Sequence, residues 1–255
     1  ALPISKRDFD KSGWYLKNSM FPKLSEEMRV VCAPKIKTKR YVGTEGLFSR
    51  KEKLEEIDVQ PWLLKEEDAI VIGPKCKSPW KVYGPVGMSA MSYGALGENA
   101  ISSMSLGLGK AKGSWVHTGE GGLASYHLLG GGDVIMQIGP GLFGVRTEKG
   151  EFCPDKFKDK ADNPQIAMFE LKLAQGAKIR GGHVEGSKVN EEIAAIRGVT
   201  PWKNVDSPNR HHQFHDVPTL FDFIDKLRDI GGKPICIKIV MGGPNSADDL
   251  CKAMA

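Results

Sequence analysis

The chain has no run of about 18 apolar residues, no C-x-x-C pair and no block of single-sign charge, and each absence closes off a class of function. Without an apolar run or a signal-peptide pattern, nothing in it reads as spanning a membrane, and a cytoplasmic protein is expected, with a membrane-anchored full-length form left open. Its five cysteines, Cys32, Cys76, Cys153, Cys236 and Cys251, are odd in number and far apart. That pattern indicates a reducing compartment, buried core thiols and no zinc site. The net charge of +5 is small for 255 residues, and the basic side chains are interleaved with acids, as in SRKEKLEEID (49 to 58), so no nucleic-acid partner is indicated. In GSWVHTGEGGL (113 to 123) an apolar segment runs into a glycine loop around Glu120, but neither nucleotide-loop spacing fits there. Taken alone, the loop reads equally as a tight turn with a solvated carboxylate.

What the chain does have is glycine. Thirty glycines concentrate between 84 and 186 at the ends of short apolar runs. With 40% apolar and 26% charged residues, the composition is that of a soluble globular protein able to bury a large core. Residues 1 to 80 lack periodicity apart from a possible helix over 24 to 32 opened by Ser25, and read as an N-terminal extension. From 81 to 255 the pattern becomes a βα repeat. Strands are predicted at VYGPVGMSA, SWVH, DVIMQIG, AQGAKI and PICIKIV, and helices near 97 to 109, 163 to 172, 190 to 197, 217 to 230 and from Ser246. Strands this apolar imply a parallel sheet buried on both faces. The glycine-rich strand-to-helix connections then gather at the C-terminal edge of the sheet, where ligands bind in such folds.

Seven segments in order, MSAMSYGAL (88 to 96), HTGEGGL (117 to 123), DVIMQIGPGLFGVRTEKGEF (133 to 152), AQGAK (174 to 178), KVNEEIAAIRG (188 to 198), SPNRHH (207 to 212) and KPICIKIV (233 to 240), together resemble the FMN-binding domain of glutamate synthases and their stand-alone relatives. The resemblance implies an α/β fold of the TIM (β/α)8 type. It also implies FMN at the C-terminal mouth and reduction of the imine of 2-oxoglutarate and ammonia to glutamate, a step of nitrogen metabolism, by an electron donor the sequence does not identify. By that resemblance Lys238, Gln137, Met91 and Ser92 contact the flavin, and Gln175, Lys178, Arg197 and Glu120 serve the substrate, with Glu120 and Lys178 catalytic. The residue types suit these tasks: a lysine stabilises the negative charge of a reduced flavin, and an arginine and a lysine can grip a dicarboxylate. On spacing alone Lys238 is as readily a solvated strand end. The pair His211 and His212 offers no facial metal geometry, so no metal site is expected.

The chain also departs from the family pattern. GAKIRGGHVEG stands where the family has a longer glycine-rich turn, and His117 stands where asparagine is common. The clustered cysteines that ligate an iron–sulfur centre in full-length members are missing from this chain. Only about five βα units can be counted against the eight of a closed barrel, so a partial barrel is expected, with a second chain completing it as one possibility. Two alternatives stay open: a flavin dehydrogenase acting on another keto or amino acid, and a non-catalytic barrel fragment or partner subunit.

Overall fold

The computed structural model describes residues 63–84, 86–173 and 182–240, with single positions at 243, 245, 248, 249, 251 and 252. The helix expected over 24 to 32 and the strand expected at AQGAKI, together with Gln175 and Lys178, lie outside the described residues. A short antiparallel hairpin, β1 (Ile70–Ile72) and β2 (Trp80–Val82), precedes a four-stranded parallel sheet. Its strands are β3 (Trp115–His117), β4 (Asp133–Ile138), β5 (Ile166–Lys172) and β8 (Ile235–Lys238), adjacent in that order. A minor antiparallel pair, β6 (His183–Val184) and β7 (Val205–Asp206), lies between β5 and β8 in sequence.

Helices follow from their end signals. Helix α1 (Glu98–Ala111) buries Ile101 and Ser105, one turn apart. Helix α2 (Pro154–Ala161) opens on proline at its first position and buries only Phe157 and Ala161. In α3 (Glu191–Arg197) the Asn190 side chain accepts from the Ile193 N–H at 2.8 Å, and Gly198 ends the helix at φ +68°. In α4 (Val217–Gly231) Asp216 accepts from Thr219 N–H at 2.9 Å, and Leu220, Phe223, Ile224 and Leu227 form the buried stripe.

Two apolar clusters divide the sheet's faces. Val116, Val134, Met136, Ile138, Phe169 and Leu171 pack with the buried faces of the helices on one side. On the other, Ile135 and Met168 pack against Trp80 and Val82 of the hairpin, with Trp115 and Cys236 beside them. Trp80 Nε1–H donates to Asp133 at 2.7 Å and pins the hairpin to the foot of β4.

Three expectations are corrected. The segment 163 to 172 is not a helix but the central strand β5. Its apolar residues at 166, 168, 169 and 171 are buried on both faces, and that spacing fits either period. Strand β2 stops at Val82, and the described residues among 83 to 90 form no strand. The described cysteines are free but are not core thiols: Cys76, Cys153 and Cys236 are half-buried and Cys251 is exposed. The parallel sheet is compatible with part of a (β/α)8 fold; among the described residues β3 and β8 are its edges.

Two glycines of α1 have opposite environments. A Cβ on Gly109 would lie 1.9 Å from the Gly130 carbonyl oxygen, whereas a Cβ on Gly107 would meet nothing within 4 Å. Gly107→Ala is therefore expected to stabilise the protein by about 0.5–1 kcal/mol through helix propensity. Gly109→Ala should destabilise it by about 1–3 kcal/mol, because the helix must move off the 125–130 segment. Urea unfolding of the two variants checks this, and equal shifts would refute the contact.

Candidate functional site

Because strand side chains alternate, the hairpin-facing side of the sheet carries Trp115 and His117, Ile135 and Gln137, Met168, Glu170 and Lys172, then Cys236 and Lys238. The lower members are apolar and the upper ones polar. Gln137 registers with Glu170, Glu170 with Cys236, and Lys172 with Lys238, so the polar residues form one layer at the C-terminal ends of the parallel strands. His117, Gln137 and Lys172 are buried. Five polar side chains there require mutual partners, since a buried polar group left unpaired is costly.

Glu170 is the shared acceptor of the layer. His117 Nε2 lies 3.2 Å from its Oε1, and Gln137 Nε2–H donates to the same oxygen. Burial favours the neutral acid, but the hydrogen bonds and charges of His117, Gln137 and Lys238 outweigh it and hold the carboxyl below its ordinary range. Neighbouring Cys236 behaves oppositely. Burial and the Glu170 charge push its thiol up to about 12, so it is no nucleophile at neutral pH.

Above this layer the connection after β3 forms a single 3-10 turn, Gly119–Gly121, that carries Glu120. Its carboxylate accepts from Lys172 Nζ at 2.9 Å, with both side chains largely buried. The packing around it is close: a Cβ on Gly139 would lie 2.5 Å from Oε2, and one on Gly182 would lie 3.0 Å from Oε1. The loop is held from below by Ser92, whose Oγ accepts from Gly121 N–H at 3.1 Å. Met91, next to it, is half-buried against the core. Gly119 takes φ +61° with its Cα face against the Ser92 backbone, where a side chain would collide.

Arg197, at the end of α3, reaches the back of the same loop. It is 3% exposed, donates from Nη2 to the Tyr93 carbonyl at 3.3 Å, and lies over the Phe143 ring at 5.2 Å. Its Nε is buried without a partner, and no carboxylate among the described residues lies within ion-pair distance. Burial lowers its pKa, with the Glu120 charge acting in the opposite sense. His211 donates from Nε2 to the Lys172 carbonyl at 2.9 Å and stacks on Phe214, so it fixes the end of β5; burial lowers its pKa. No cluster of three metal-ligating side chains occurs among the described residues. No helix among them is long and apolar enough to cross a membrane.

Of the residues singled out in the sequence, Glu120, Gln137, Lys238, Ser92, Met91 and Arg197 therefore converge on one sheet edge, and Gln175 and Lys178 lie outside the described residues. Sequence reasoning missed Glu170 and Lys172 and left His117 unassigned. The available signal was the alternation of Met168, Glu170 and Lys172 with Phe169 and Leu171, which is a strand pattern.

The acid behaviour of Glu170 can be checked. Its folded-state pKa lies below its ordinary 4.5, so on acidification the unfolded chain takes up the proton first. Its contribution is complete above about 4.5 and is lost as the pH falls through the lower folded value. Glu170→Gln is expected to cost about 1–3 kcal/mol at neutral pH. The gap should shrink on acidification in urea titrations; a pH-independent gap would contradict the ionised hub.

The family described as "Conserved region in glutamate synthase" matches residues 23–255. The glutamate synthase large subunit-like protein YerD of Bacillus subtilis is 55% identical over 252 residues, covering 98% of this chain and 48% of that protein. The archaeal glutamate synthase [NADPH] of Methanocaldococcus jannaschii is 33% identical over 165 residues, covering 62% of this chain and 29% of that protein. The glutamate synthase [NADH] of Schizosaccharomyces pombe is 33% identical over 159 residues, covering 59% of this chain and 7% of that protein. The chain thus spans about half the length of the Bacillus relative. A family match of that extent, on a parallel sheet with a polar layer at its C-terminal edge, places the chain in the glutamate synthase family.

Proposed function

We propose that this chain forms part of a (β/α)8 barrel that binds FMN and reduces the imine of 2-oxoglutarate and ammonia to glutamate. The observation that carries the reading is the charge arrangement at the sheet edge: a buried Lys172–Glu120 pair beside an arginine that has no carboxylate partner among the described residues. A buried guanidinium with unused donors favours an anionic ligand, and a dicarboxylate keto acid supplies one.

The residues present suit the ring edge of a flavin. Lys238 is a cation at the rim, and Gln137 is a fully buried amide whose carbonyl is not used by Glu170. Such a pair meets the N1–C2=O edge of a flavin, which becomes negative on reduction, and a ring N–H. Met91 and Ser92 would lie along the ring. FMN, when bound and reduced by the electron donor, would supply the hydride. The chain's own groups do the rest. Arg197 and Lys178 would hold the carboxylates, Gln175 would orient the substrate, and Glu120 would hold the cationic nitrogen and pass its proton. Lys172 holds the Glu120 carboxylate in place until the nitrogen arrives. The glycines at 119, 121 and 139 let Ser92, Arg197 and Glu120 approach the backbone closely.

The reading makes two expectations. The full-length protein should carry, or take up, a yellow flavin chromophore that dithionite bleaches and 2-oxoglutarate perturbs; a protein that takes up no FMN would overturn it. In the same protein Glu120→Gln should lower turnover by about 10²-fold or more while flavin affinity stays within about threefold. Equal loss of both would make Glu120 a structural residue only.

A further inference from the structure

We propose that His117 is the positioning residue that locks the two halves of the site together, and that it does so only as the neutral Nε2–H tautomer. The Gly119 backbone N–H donates to His117 Nδ1 at 3.2 Å. A peptide N–H is always a donor, so Nδ1 must offer its lone pair. A neutral imidazole has a single N–H, which therefore sits on Nε2 and points to Glu170 Oε1 at 3.2 Å. The same oxygen takes the N–H of Gln137, so the amide nitrogen of Gln137 is turned to Glu170 and its carbonyl away from it. One chain of donors and acceptors thus runs from Gly119, the residue before Glu120, to the buried amide on β4. Thr118 closes the circuit: its Oγ1 accepts from Gln137 N–H at 3.1 Å and donates to the Gly119 carbonyl at 2.8 Å.

Protonating His117 would break this circuit on one side only. A proton on Nδ1 faces the Gly119 N–H, donor against donor, and that bond is lost. The bond to Glu170 is strengthened at the same time. The charged and titratable groups that act on this network are Glu170 on β5, Lys238 on β8 and the buried His127. In the loop itself, Glu120 is already committed to Lys172. A protonated ring therefore releases the turn at Gly119 only, with Gly121 still on Ser92 and Gln137 still on Glu170.

The tautomer and the loop coupling stand on geometry alone; their effect on turnover rests on the proposed function. Long-range ¹H–¹⁵N spectra of the protein over a pH series, with His117→Asn for assignment, read the ring directly. Proton on Nε2 and lone pair on Nδ1 at the alkaline end are expected, and the Gly119 amide should shift in step with protonation of the ring. The asparagine Oδ1 can take the place of Nδ1 and accept from Gly119 without titrating, although the side chain is too short to reach Glu170. His117→Asn should therefore remove the pH step in the Gly119 amide, and His117→Phe should leave that amide exchanging about tenfold faster at every pH. In turnover, His117→Asn should lack the acid step of the parent and exceed His117→Phe by about tenfold. An Nδ1–H tautomer, a Gly119 amide indifferent to the ring's protonation, or an unchanged step in His117→Asn would each overturn the proposal. The spectra remain decisive even if FMN or 2-oxoglutarate proves not to be a ligand.

Discussion

The ion pair between Lys172 and Glu120 is the constraint on which the sheet edge depends. It joins the last residue of the central strand to a three-residue turn 52 positions earlier, at 2.9 Å and largely out of water. Desolvating two charges is costly, and the cost is met only where geometry is good and the surroundings are fixed. Those surroundings are visible. Gly139 and Gly182 leave room for the carboxylate where a side chain would crowd it, Ser92 holds the turn, and His211 holds the carbonyl of Lys172. Arg197 adds a second cation behind the turn without pairing to it.

The polar layer can exist because of the apolar layer beneath it. Trp80 and Val82 cover Ile135 and Met168, so the same face that carries Glu170 and Lys172 at its upper end is closed at its lower end. The change from apolar to polar takes one step along each strand: Met168 to Glu170, Ile135 to Gln137, Cys236 to Lys238. A site built on strand ends inherits the rigidity of the sheet, while the loops above supply small residues and a carboxylate.

Much of this was legible in the chain. The helices expected near 190 to 197 and 217 to 230 are α3 and α4, each within a residue of its observed ends. The apolar runs SWVH, DVIMQIG and PICIKIV are strands as read. Strand β5 was read as a helix because its buried residues fit both periods, and α2 was passed over because only Phe157 and Ala161 of its eight residues are buried. The error concealed Glu170 and Lys172, which look like surface charges until the strand is known to be central. Arg197 shows the other limit. Its place at the end of α3 could be read from Gly198, but its burial and its bond to the Tyr93 carbonyl arise from a fold in which residues 104 positions apart meet.

The central claim, that Lys172 and Glu120 act as one coupled unit, is tested most directly by a double-mutant cycle on stability with Lys172→Met, Glu120→Gln and the two combined. Lys172→Met should be strongly destabilising, by about 3–5 kcal/mol, because the buried Glu120 carboxylate loses its cation, and Glu120→Gln should destabilise as well. The double variant should recover at least about 1.5 kcal/mol of the summed loss. Losses that add to within about 0.5 kcal/mol would mean that the two groups do not depend on each other, and would contradict the account.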